Sequence, residues 1–494
     1  MEIFRLLKNI LQWILLIFFI SIVLPVILLL LGYRYLIIFL NRVIIPNSPF
    51  VTPMTGLDHA FCTDPFHTRP RSGTAFIWIC EGKLNPDEIL DRFSSILENN
   101  SGEMYARLKS VYPSKFMGIP FWRRARKEFE MRDHLRVLGA QEGHNFNEDD
   151  LNAFLVKWMR LPFTEGIPFW EAMVVPGVTI SGETRSIFGL QTNHAIGDGF
   201  SKLCLLEKIV DNAIPPPEVC RVTDKNDANL GGSQLSDLLR LPDTLSKLFC
   251  DFLLHKDIFT RAKSSDDVAL YRATYPMRTF KEVRFLLGAQ GQGRPPLLLL
   301  GVTLLAGALR RFLSRLCSDG MTTNFVVALP VRGVEHPPQF CNFWCHTLLN
   351  VQIGEESPTK RLSALMDNFS RSVDINHWPE GYSRLVVPIQ SLLPTWAWEK
   401  VTRIRMGAPI GCTNMVGPAQ AVTLCGNRVL QKYAYVGLLW PHSSMTCGFF
   451  SYADTLSLTL VANHDVTTLG NNFDYILHQF LQEEVNLMKK EITQ

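Results

Sequence analysis

An uncharged apolar run at the N-terminus limits most strongly how this chain can fold. No charged side chain occurs from Asn9 to Tyr33, and Ile14–Leu31 consists almost wholly of leucine, isoleucine, valine and phenylalanine. About twenty apolar residues, each rising about 1.5 Å along a helix, span a hydrocarbon core of about 30 Å. The run is too long for the apolar part of a secretory signal, and no small-residue cleavage site closes it. The sequence therefore predicts a membrane anchor over residues 1–46, with one span at about 10–33.

A second apolar stretch, Tyr35–Ile45, follows this span, with Pro25 inside the first run and Gly32 between the two. The first expectation is one kinked span followed by an interfacial helix. The alternative is a hairpin that returns to the same face, which would suit a lipid-droplet monolayer. Counting basic residues does not choose a topology because both ends of the run carry them: Arg5, Lys8, Arg34 and Arg42.

Composition narrows the class of protein. The chain has 494 residues, of which 47% are hydrophobic and 19% charged, enough for a membrane segment and two domains with a large core. A net charge of only +3 gives no reason to expect a nucleic-acid partner. The eleven cysteines follow no disulfide or zinc pattern, which indicates reduced thiols in a cytosol-facing protein. The glycosylation tripeptides at Asn99 and Asn368 weigh little against that orientation.

Strand and helix patterns are mixed along the chain without a strict βα repeat, which favours an α+β fold. The domain boundaries follow from composition: 50–215 for an N-terminal domain, 216–275 for a linker and 276–494 for a C-terminal domain. The run Pro215-Pro216-Pro217 ends a helix before the linker. Predicted strands are Thr74–Cys80, Ser186–Gln191, Glu282–Leu287, Phe325–Leu329, Thr347–Ile353 and Ser457–Ala462. Predicted helices are Asn85–Glu98, Asp149–Met159, Phe200–Val210, Pro296–Leu316 and Asn472–Lys489.

The stretch Asn193–Gly199 reads Asn-His-Ala-Ile-Gly-Asp-Gly and follows the apolar run Ser186–Leu190. A neutral imidazole at the end of a buried strand, here His194, can take a proton from a hydroxyl or a thiol. A carboxylate in the next turn, Asp198, can fix the backbone that presents the imidazole, and Gly199 allows a tight turn. A structural histidine is the alternative from spacing alone.

The stretch resembles the His-His-x-x-x-Asp-Gly signature of CoA-dependent acyltransferases, in particular the bacterial and plant wax ester synthase/diacylglycerol acyltransferase family. Further blocks in the family's order extend the resemblance from about Pro53 to about Met488. The resemblance implies two chloramphenicol-acetyltransferase-like domains joined by a crossover. The blocks are Leu161-Pro162-Phe163, Ile167–Glu171, Thr413–Pro418, Leu424–Val429 and Ser451–Asp454.

Two positions depart from the family pattern. Asn193 replaces the first of the paired histidines, although the second remains as His194. The Asn-Asp pair at the head of a helix is also missing, and Leu298–Val302 stands in its place. Asparagine can still donate and accept hydrogen bonds beside the base, so a working site is favoured.

By resemblance, the reaction transfers an acyl group from acyl-CoA to a long-chain alcohol or to a diacylglycerol, giving wax ester or triacylglycerol. His194 would be the general base, and Asp198 an orienting residue with Arg332 as its candidate partner. Asn193 would either hydrogen-bond near the oxyanion or hold the turn. Gly199 and Asn414 are candidate substrate-binding residues, although a turn-forming role would equally suit Asn414. No metal and no cofactor are expected, since acyl-CoA is a substrate.

Two functional alternatives stay open. The chain could be a catalytically silent lipid-binding or scaffold homologue, or an acyltransferase with a short alcohol or an amine as acceptor.

Other residue patterns have more than one interpretation. The basic run Arg123–Lys127 could hold CoA phosphates or form a solvated helix face. The pairs Asp133-His134 and His464-Asp465 lack further ligands for a metal, and Met54 and Asp58 are interpreted as structural. The expected location is the endoplasmic reticulum membrane with the domains facing the cytosol, or a lipid droplet.

Overall fold

A computed structural model describes residues 10–494 except 11–12, 15–16, 46, 55, 100–103, 110, 126–127, 139–144, 147, 181, 213–256, 260–266, 291–292, 315, 332–334, 376–386, 405–408 and 440–441. The described strands form three sheets of three, six and seven strands. Helices occur in both halves of the chain, and each of the two large sheets contains antiparallel and parallel strand pairs. This architecture confirms the α+β prediction.

From residue 17 onward the two N-terminal apolar stretches form one continuous helix. A π-helical turn, Phe19–Val23, leads directly into α1 (Leu24–Ile44), which passes through Gly32 without a break. Pro25 has no amide hydrogen to donate and its ring crowds the preceding turn, which accounts for the widened π turn just before it. Among the described residues, Ser21–Ile44 is the one helix long and apolar enough to cross a membrane. The expectation that Tyr35–Ile45 forms a separate interfacial helix, or the second arm of a hairpin, is therefore wrong. This stretch continues α1, which ends at Ile44, one residue before Ile45.

A small antiparallel sheet lies against the second half of α1. Its strands are β1 (Phe50–Pro53), β3 (Val111–Phe116) and β4 (Ile119–Arg124), in the order β1-β4-β3. Ile37 of the helix packs on Ile119 and Phe121 of β4 in a local apolar cluster. The helix is thereby fixed to the rest of the fold.

The seven-stranded sheet carries the predicted motif and is buried on both faces. Alternate residues of its central strand face opposite helices, because side chains in a strand alternate between the two faces. Phe76 and Trp78 pack with α3 (Pro86–Asn99), whereas Ile77 and Ile79 pack with α5 (Glu148–Met159). The strands are β2 (Gly73–Glu81), β5 (Leu135–Val137), β6 (Asn145–Phe146), β7 (Trp170–Ile180), β8 (Glu183–Asn193), β13 (Thr423–Leu424) and β14 (Asn427–Val436), in the order β13-β14-β2-β8-β7-β5 with β6 beside β7.

The six-stranded sheet belongs to the second half of the chain, and long helices cover it. These helices are α7 (Met277–Ala289), α8 (Leu297–Phe312), α9 (Pro358–Ser370) and α13 (Leu481–Thr493), which contribute about half of the buried residues of the largest apolar core. The strands are β9 (Val268–Pro276), β10 (Thr323–Leu329), β11 (Cys345–Val351), β12 (Ile410–Val416), β15 (Met445–Tyr452) and β16 (Thr455–Asn463), in the order β11-β10-β12-β15-β16-β9. The shorter helices are α2 (Gly56–Ala60), α4 (Ala106–Lys109), α6 (Gly199–Leu206), α10 (Val387–Leu392), α11 (Thr395–Thr402) and α12 (His464–Thr467).

One predicted strand is wrong. The stretch Glu282–Leu287 lies inside α7, whose buried residues Met277, Phe280, Val283 and Leu287 recur every three or four positions. Short alternation of charged and apolar residues resembled a strand, but the longer window has the helical period.

The two halves of the chain are joined by a strand of the second half that belongs to the seven-stranded sheet of the first half. Strand β14 comes from the second half, yet it pairs antiparallel with β2, so that Ala434 lies opposite Phe76. The Thr459 hydroxyl of β16 donates a 2.7 Å hydrogen bond to the Ala434 carbonyl and so ties the two large sheets together. Most of the predicted linker, 213–256 and 260–266, lies outside the described residues, and its C-terminal end contributes β9 to the six-stranded sheet. The sheets therefore face each other across a shared interior.

A buried ion pair clamps three helices of the second half. The Arg361 guanidinium of α9 donates to Glu484 of α13 at 3.0 Å and to the Thr303 carbonyl of α8 at 3.1 Å. Arg311 of α8 donates to the other oxygen of the Glu484 carboxylate at 2.8 Å. Removing one partner of such a pair leaves a buried charge without compensation.

We expect Glu484→Ala to lower the free energy of unfolding by about 3–5 kcal/mol, because Arg361 would stay buried without its carboxylate. Glu282→Ala removes the exposed pair with Lys489 and should cost about 1 kcal/mol or less. Denaturant unfolding of the detergent-solubilised protein compares the two variants. Equal losses would show that the buried pair does not clamp the helices.

Candidate active site

The turn after β8 presents the motif, and Asn193 holds that turn. The Asn193 side-chain oxygen accepts a 2.9 Å hydrogen bond from the Ala195 amide, while its nitrogen donates to the Asp64 carboxylate at 2.6 Å. The backbone amide of His194 donates to the Ser72 carbonyl at 3.0 Å. The Asn193 side chain thus bonds to its own turn and to Asp64, whose pKa is raised by burial.

Asp198 begins α6 and joins it to the loop before β11. Its carboxylate accepts hydrogen bonds from the amides of Ser201 (2.9 Å) and Phe343 (2.8 Å) and from His336 Nε2 (3.1 Å). Burial alone would raise the pKa of Asp198, but the hydrogen bonds and the charge of His336 outweigh it and hold the pKa below its usual value. Arg332, the partner proposed from the sequence, lies outside the described residues. The observed partner is His336.

Gly199 is required by packing. A Cβ atom at this position would lie 2.5 Å from the sulfur of Met415 on β12, which is far inside van der Waals contact. Gly199 also lines the cavity described below. The absence of a side chain therefore lets α6 approach β12 closely.

Asn342, on the loop before β11, orients the His194 ring. Its amide nitrogen faces three acceptors, the Asp58 carboxylate (2.9 Å) and the carbonyls of His194 (2.7 Å) and Ala195 (3.3 Å). These acceptors leave the Asn342 oxygen, 3.0 Å from His194 Nδ1, as the acceptor of the ring N–H. In the neutral ring Nδ1 therefore carries the proton, and Nε2 keeps the lone pair that a general base needs.

A buried carboxylate supports Asn342 in turn. Asp58 on α2 accepts from both terminal nitrogens of Arg107, at 2.7 and 3.2 Å, and Arg107 also donates to the Ile196 carbonyl at 3.1 Å. Burial raises the pKa of Asp58, and the Arg107 charge and the Asn342 hydrogen bond act against that rise. Asp58, interpreted from sequence as merely structural, thus lies one hydrogen bond away from the residue that orients His194.

His194 is enclosed by apolar rings and stays neutral. Its ring stacks on Phe61 with the centroids 4.4 Å apart, and Trp344 lies beside it at 5.8 Å. Burial, and then the charge of Lys202, lower the pKa of His194 to about 4. Lys202 itself is buried, donates to the Gly197 carbonyl at 2.8 Å and to the Thr74 hydroxyl, and burial lowers its pKa to about 7.

A cavity of about 280 Å³ lies beside His194, between the two large sheets. Its walls come from both halves of the chain and are mostly apolar. Among the lining residues, Asn414 is placed on β12 rather than in a turn, and its buried side-chain oxygen has no hydrogen-bond partner in the described structure. That oxygen can accept a hydrogen bond from a bound molecule. Further lining residues include Thr74, Phe200, Leu298, Ala328, Tyr435 and Cys447.

The remaining sequence candidates lie elsewhere or differ in detail. The helix α8, which lacks the family's Asn-Asp pair, presents Leu298 to the cavity. Of the basic run, Arg123 and Arg124 belong to strand β4, not to a helix, and 126–127 fall outside the described residues. Within the part of the chain that the structure describes, no group of three His, Cys, Asp or Glu side chains is arranged to hold a metal ion.

Sequence reasoning did not find Asn342, Arg107, His336 or Lys202. Each is an isolated residue outside the motif Asn193–Gly199, and no spacing in the sequence signals its role. Asn342 follows His194 by 148 positions and Arg107 follows Asp58 by 49. Nothing in the local pattern connects residues so far apart.

The sequence matches two family descriptions. The wax ester synthase/diacylglycerol acyltransferase catalytic domain matches residues 61–250, and the WS/DGAT C-terminal domain matches residues 342–482. No curated protein sequence matches the chain. A two-domain α+β fold with this arrangement is that of acetyltransferases and condensation domains. More specifically, the chain belongs to the wax ester synthase/diacylglycerol acyltransferase family, as the resemblance had indicated.

Solved structures agree with this fold. The wax ester synthase/diacylglycerol acyltransferase from Marinobacter aquaeolei VT8 is 14% identical, with a TM-score of 0.57 over 90% of this chain and 100% of its own. The trichothecene 15-O-acetyltransferase from Fusarium sporotrichioides gives 12% identity and a TM-score of 0.60 over 90% and 95% of the two chains. A mutant starter condensation domain of rhizomide synthetase, solved with C8-CoA and Leu-SNAC, gives 11% and 0.57 over 90% and 95%. At these identities the likeness establishes the fold.

The pair of Asp198 and His336 predicts a pH-dependent contribution to stability. The Asp198 interaction raises the pKa of His336 although burial alone would lower it, so the ion pair is complete below about pH 6.5 and is lost as pH rises through the raised pKa. Because the pKa of Asp198 is lowered, its side of the pair is lost only at acid pH, as pH falls through that value. We expect His336→Gln to lower the melting temperature more at pH 5.5 than at pH 9. An equal loss at both pH values would show that the charge of His336 does not matter.

Proposed function

We propose that this protein is a membrane-anchored, acyl-CoA-dependent O-acyltransferase that esterifies a long-chain alcohol or a diacylglycerol. The observation that carries the proposal is the His194 ring, which lines an apolar cavity with Nδ1 held by Asn342 and Nε2 left with its lone pair. Membership of the family supplies the acyltransferase class. The acceptor and the mechanism are argued from the residues of this chain.

The proposed reaction needs one proton carrier. His194 Nε2 accepts the proton of the acceptor hydroxyl while the hydroxyl oxygen forms a bond to the thioester carbonyl carbon. The tetrahedral intermediate then collapses, the carbon–sulfur bond breaks, and His194 returns the proton to the leaving CoA thiolate. The hydrogen bond from Nδ1 to Asn342 stabilises the ring orientation throughout, as the third member of a triad does.

The lining of the cavity supports long apolar substrates. Apolar side chains such as Phe76, Leu298 and Leu439 surround most of it, as expected for an acyl chain or a fatty alcohol. The unpartnered Asn414 oxygen could accept the hydrogen bond of an acceptor hydroxyl or of the CoA amide region. The condensation domain of rhizomide synthetase, which has this fold, was solved in complex with C8-CoA, and this supports acyl-CoA as the donor.

The departures from the family pattern leave the proposed chemistry intact. Asn193 bonds to Asp64 and to its own turn and is not among the residues that line the cavity. Of the residues that stand in place of the Asn-Asp pair, Leu298 lines the cavity and adds to its apolar wall. The silent-homologue alternative is therefore disfavoured, since the His194–Asn342–Asp58 chain of hydrogen bonds is complete.

The proposed location is the endoplasmic reticulum membrane, with the domains on the cytosolic side. Acyl-CoA is a cytosolic donor, and every cysteine in the described part of the chain is a free thiol, as in a reducing compartment. The apolar helix would supply the anchor. Protease protection in sealed microsomes, together with the glycosylation state of Asn99 and Asn368, distinguishes this topology from the reverse one.

Expression in a host without neutral-lipid synthesis, with and without added fatty alcohol, tests both function and residue roles. We expect wild type to make wax ester or triacylglycerol. His194→Ala should lower turnover by roughly 10² to 10⁴-fold, and Asn342→Leu by up to about 10²-fold, because the ring loses its orientation.

The exposed His478 provides a matched control, and His478→Ala should keep wild-type activity. Wild-type turnover by purified, folded His194→Ala would refute the mechanism. No product from wild type with any hydroxyl acceptor would instead favour the silent homologue.

The pH profile provides a second test of His194. A base is active when deprotonated, so kcat/KM should stay level from pH 8 to about 5 and fall as pH drops through about 4, the lowered pKa of His194. Lys202→Met removes the nearby cation and should move this acid limb to higher pH, whereas Lys202→Arg should leave it in place. An acid limb near pH 6.5 in wild type, or one unmoved by Lys202→Met, would contradict this assignment.

A further inference from the structure

The second half of α1 is built into the folded domain. Arg34, Ile37 and Asn41 recur every three or four residues and are buried, so they form one stripe of the helix. Arg34 donates to the carbonyls of Ser391 (2.7 Å) and Met54 (2.6 Å), and Asn41 donates to the Phe50 carbonyl at 3.1 Å. The helix is therefore held in a fixed direction relative to the catalytic domain.

Before Arg34 the same helix leaves the domain. None of the described helical residues ahead of Arg34 is buried. The uncharged sequence from Ile10 to Gly32 is long enough, at about 1.5 Å per helical residue, to cross one hydrocarbon core of about 30 Å. The helix therefore leaves the folded domain at Tyr33 and Arg34.

A cluster of exposed apolar side chains surrounds this exit point. The Tyr33 hydroxyl donates to the Met117 carbonyl at 2.7 Å, at the tip of the β3–β4 hairpin. The next residue, Gly118, accepts from the Thr395 amide at 2.7 Å, and the Trp396 ring lies 3.5 Å from the Cβ position of Gly118. Met117 is 55% exposed and Trp396 60% exposed. We call Tyr33, Met117 and Trp396 the exit patch.

The chemistry of the exit patch matches the boundary between water and lipid. Tyrosine and tryptophan have an apolar ring and a polar atom, and both are enriched where a helix leaves the hydrocarbon core. The ammonium group of Lys400 lies 5.8 Å from the Trp396 ring centroid, where it can reach phosphate groups. Met117 holds a left-handed backbone conformation (φ 47°) at the tip of this hairpin, which is uncommon for a residue with a side chain.

We propose that the exit patch inserts into the headgroup region of a phospholipid bilayer, so that the catalytic domain rests on the membrane in one orientation. The inference rests on the proposed membrane anchoring by α1. The surface that covers the exit patch is a bilayer because the patch lies where α1 leaves the domain, next to an apolar sequence long enough to cross one bilayer. The buried stripe of α1 fixes the angle between this helix and the folded domain.

This orientation brings the bilayer to the side of the molecule next to the catalytic histidine. Helix α11 carries both Trp396 and Trp398, and the Trp398 indole donates to the Ala60 carbonyl at 3.1 Å. The following residue, Phe61, stacks on His194. The exit patch and the His194 ring are thus connected through α11 and the residues that follow α2.

Site-specific labelling of the full chain in phosphatidylcholine vesicles tests the inference. Met117→Cys and Phe285→Cys introduce thiols at exposed positions, the second on α7, where the native side chain is 60% exposed. A membrane-impermeant maleimide is added, labelling at each site is followed by mass spectrometry, and rates are normalised to urea-unfolded protein. We expect Met117→Cys to react at least about tenfold more slowly than Phe285→Cys, because lipid headgroups cover it.

Quenching of tryptophan fluorescence by brominated lipid gives an independent measurement that needs no cysteine. Wild type should lose more fluorescence than Trp396→Phe, and the difference isolates Trp396 from Trp13 in the apolar helix. Vesicle flotation separates the two proposals. Protein that floats but labels equally at both positions, or shows no quenching difference, would refute the exit patch while the anchor stands. Protein that fails to float would refute both.

Discussion

Strand β14 is the constraint on which the rest of the structure depends. It leaves the second half of the chain, pairs along its length with β2, and is bonded through the Ala434 carbonyl to Thr459 of the other large sheet. Because β14 comes from the second half and is paired within the sheet of the first half, the two halves of the chain cannot separate without breaking the β14–β2 ladder. The interior between them becomes a cavity with walls from both halves. His194 is delivered to that cavity by β8, the strand on the other side of β2.

The same joining of halves determines the chemistry of His194. The histidine comes from the first half and its orienting residue, Asn342, from the second. The Asn342 amide can adopt one orientation only, because the Asp58 carboxylate and two carbonyls occupy its nitrogen side. Asp58 is in turn held by Arg107. The tautomer of the His194 ring is thereby fixed through buried hydrogen bonds, and burial keeps the ring neutral.

The N-terminal helix is more than a tether in this structure. Its Arg34 bonds to the carbonyl of Met54, which lies just ahead of α2, the helix that carries Asp58. The N-terminal apolar helix and the network around His194 are therefore neighbours in the fold. If the proposed anchoring holds, the enzyme would work at a fixed height above the bilayer, where its apolar acceptor is dissolved.

Local sequence by itself determined the features that depend on short-range periodicity or composition. The apolar run before Tyr33 predicted a spanning helix, the stretch Thr74–Cys80 predicted a strand, and the spacing of His194 and Asp198 located the motif. The same reasoning failed at Glu282–Leu287, where a short window hid a helical period.

Only the tertiary structure decided which distant residues meet. It paired Asp198 with His336, oriented His194 through Asn342, placed Asn414 on a cavity wall and docked α1 on the β3–β4 hairpin. Such contacts join residues separated by up to hundreds of positions, and each is one hydrogen bond or one packed side chain. A single residue leaves no periodic signal along the chain, so its partner is determined by how the sheets and helices pack together.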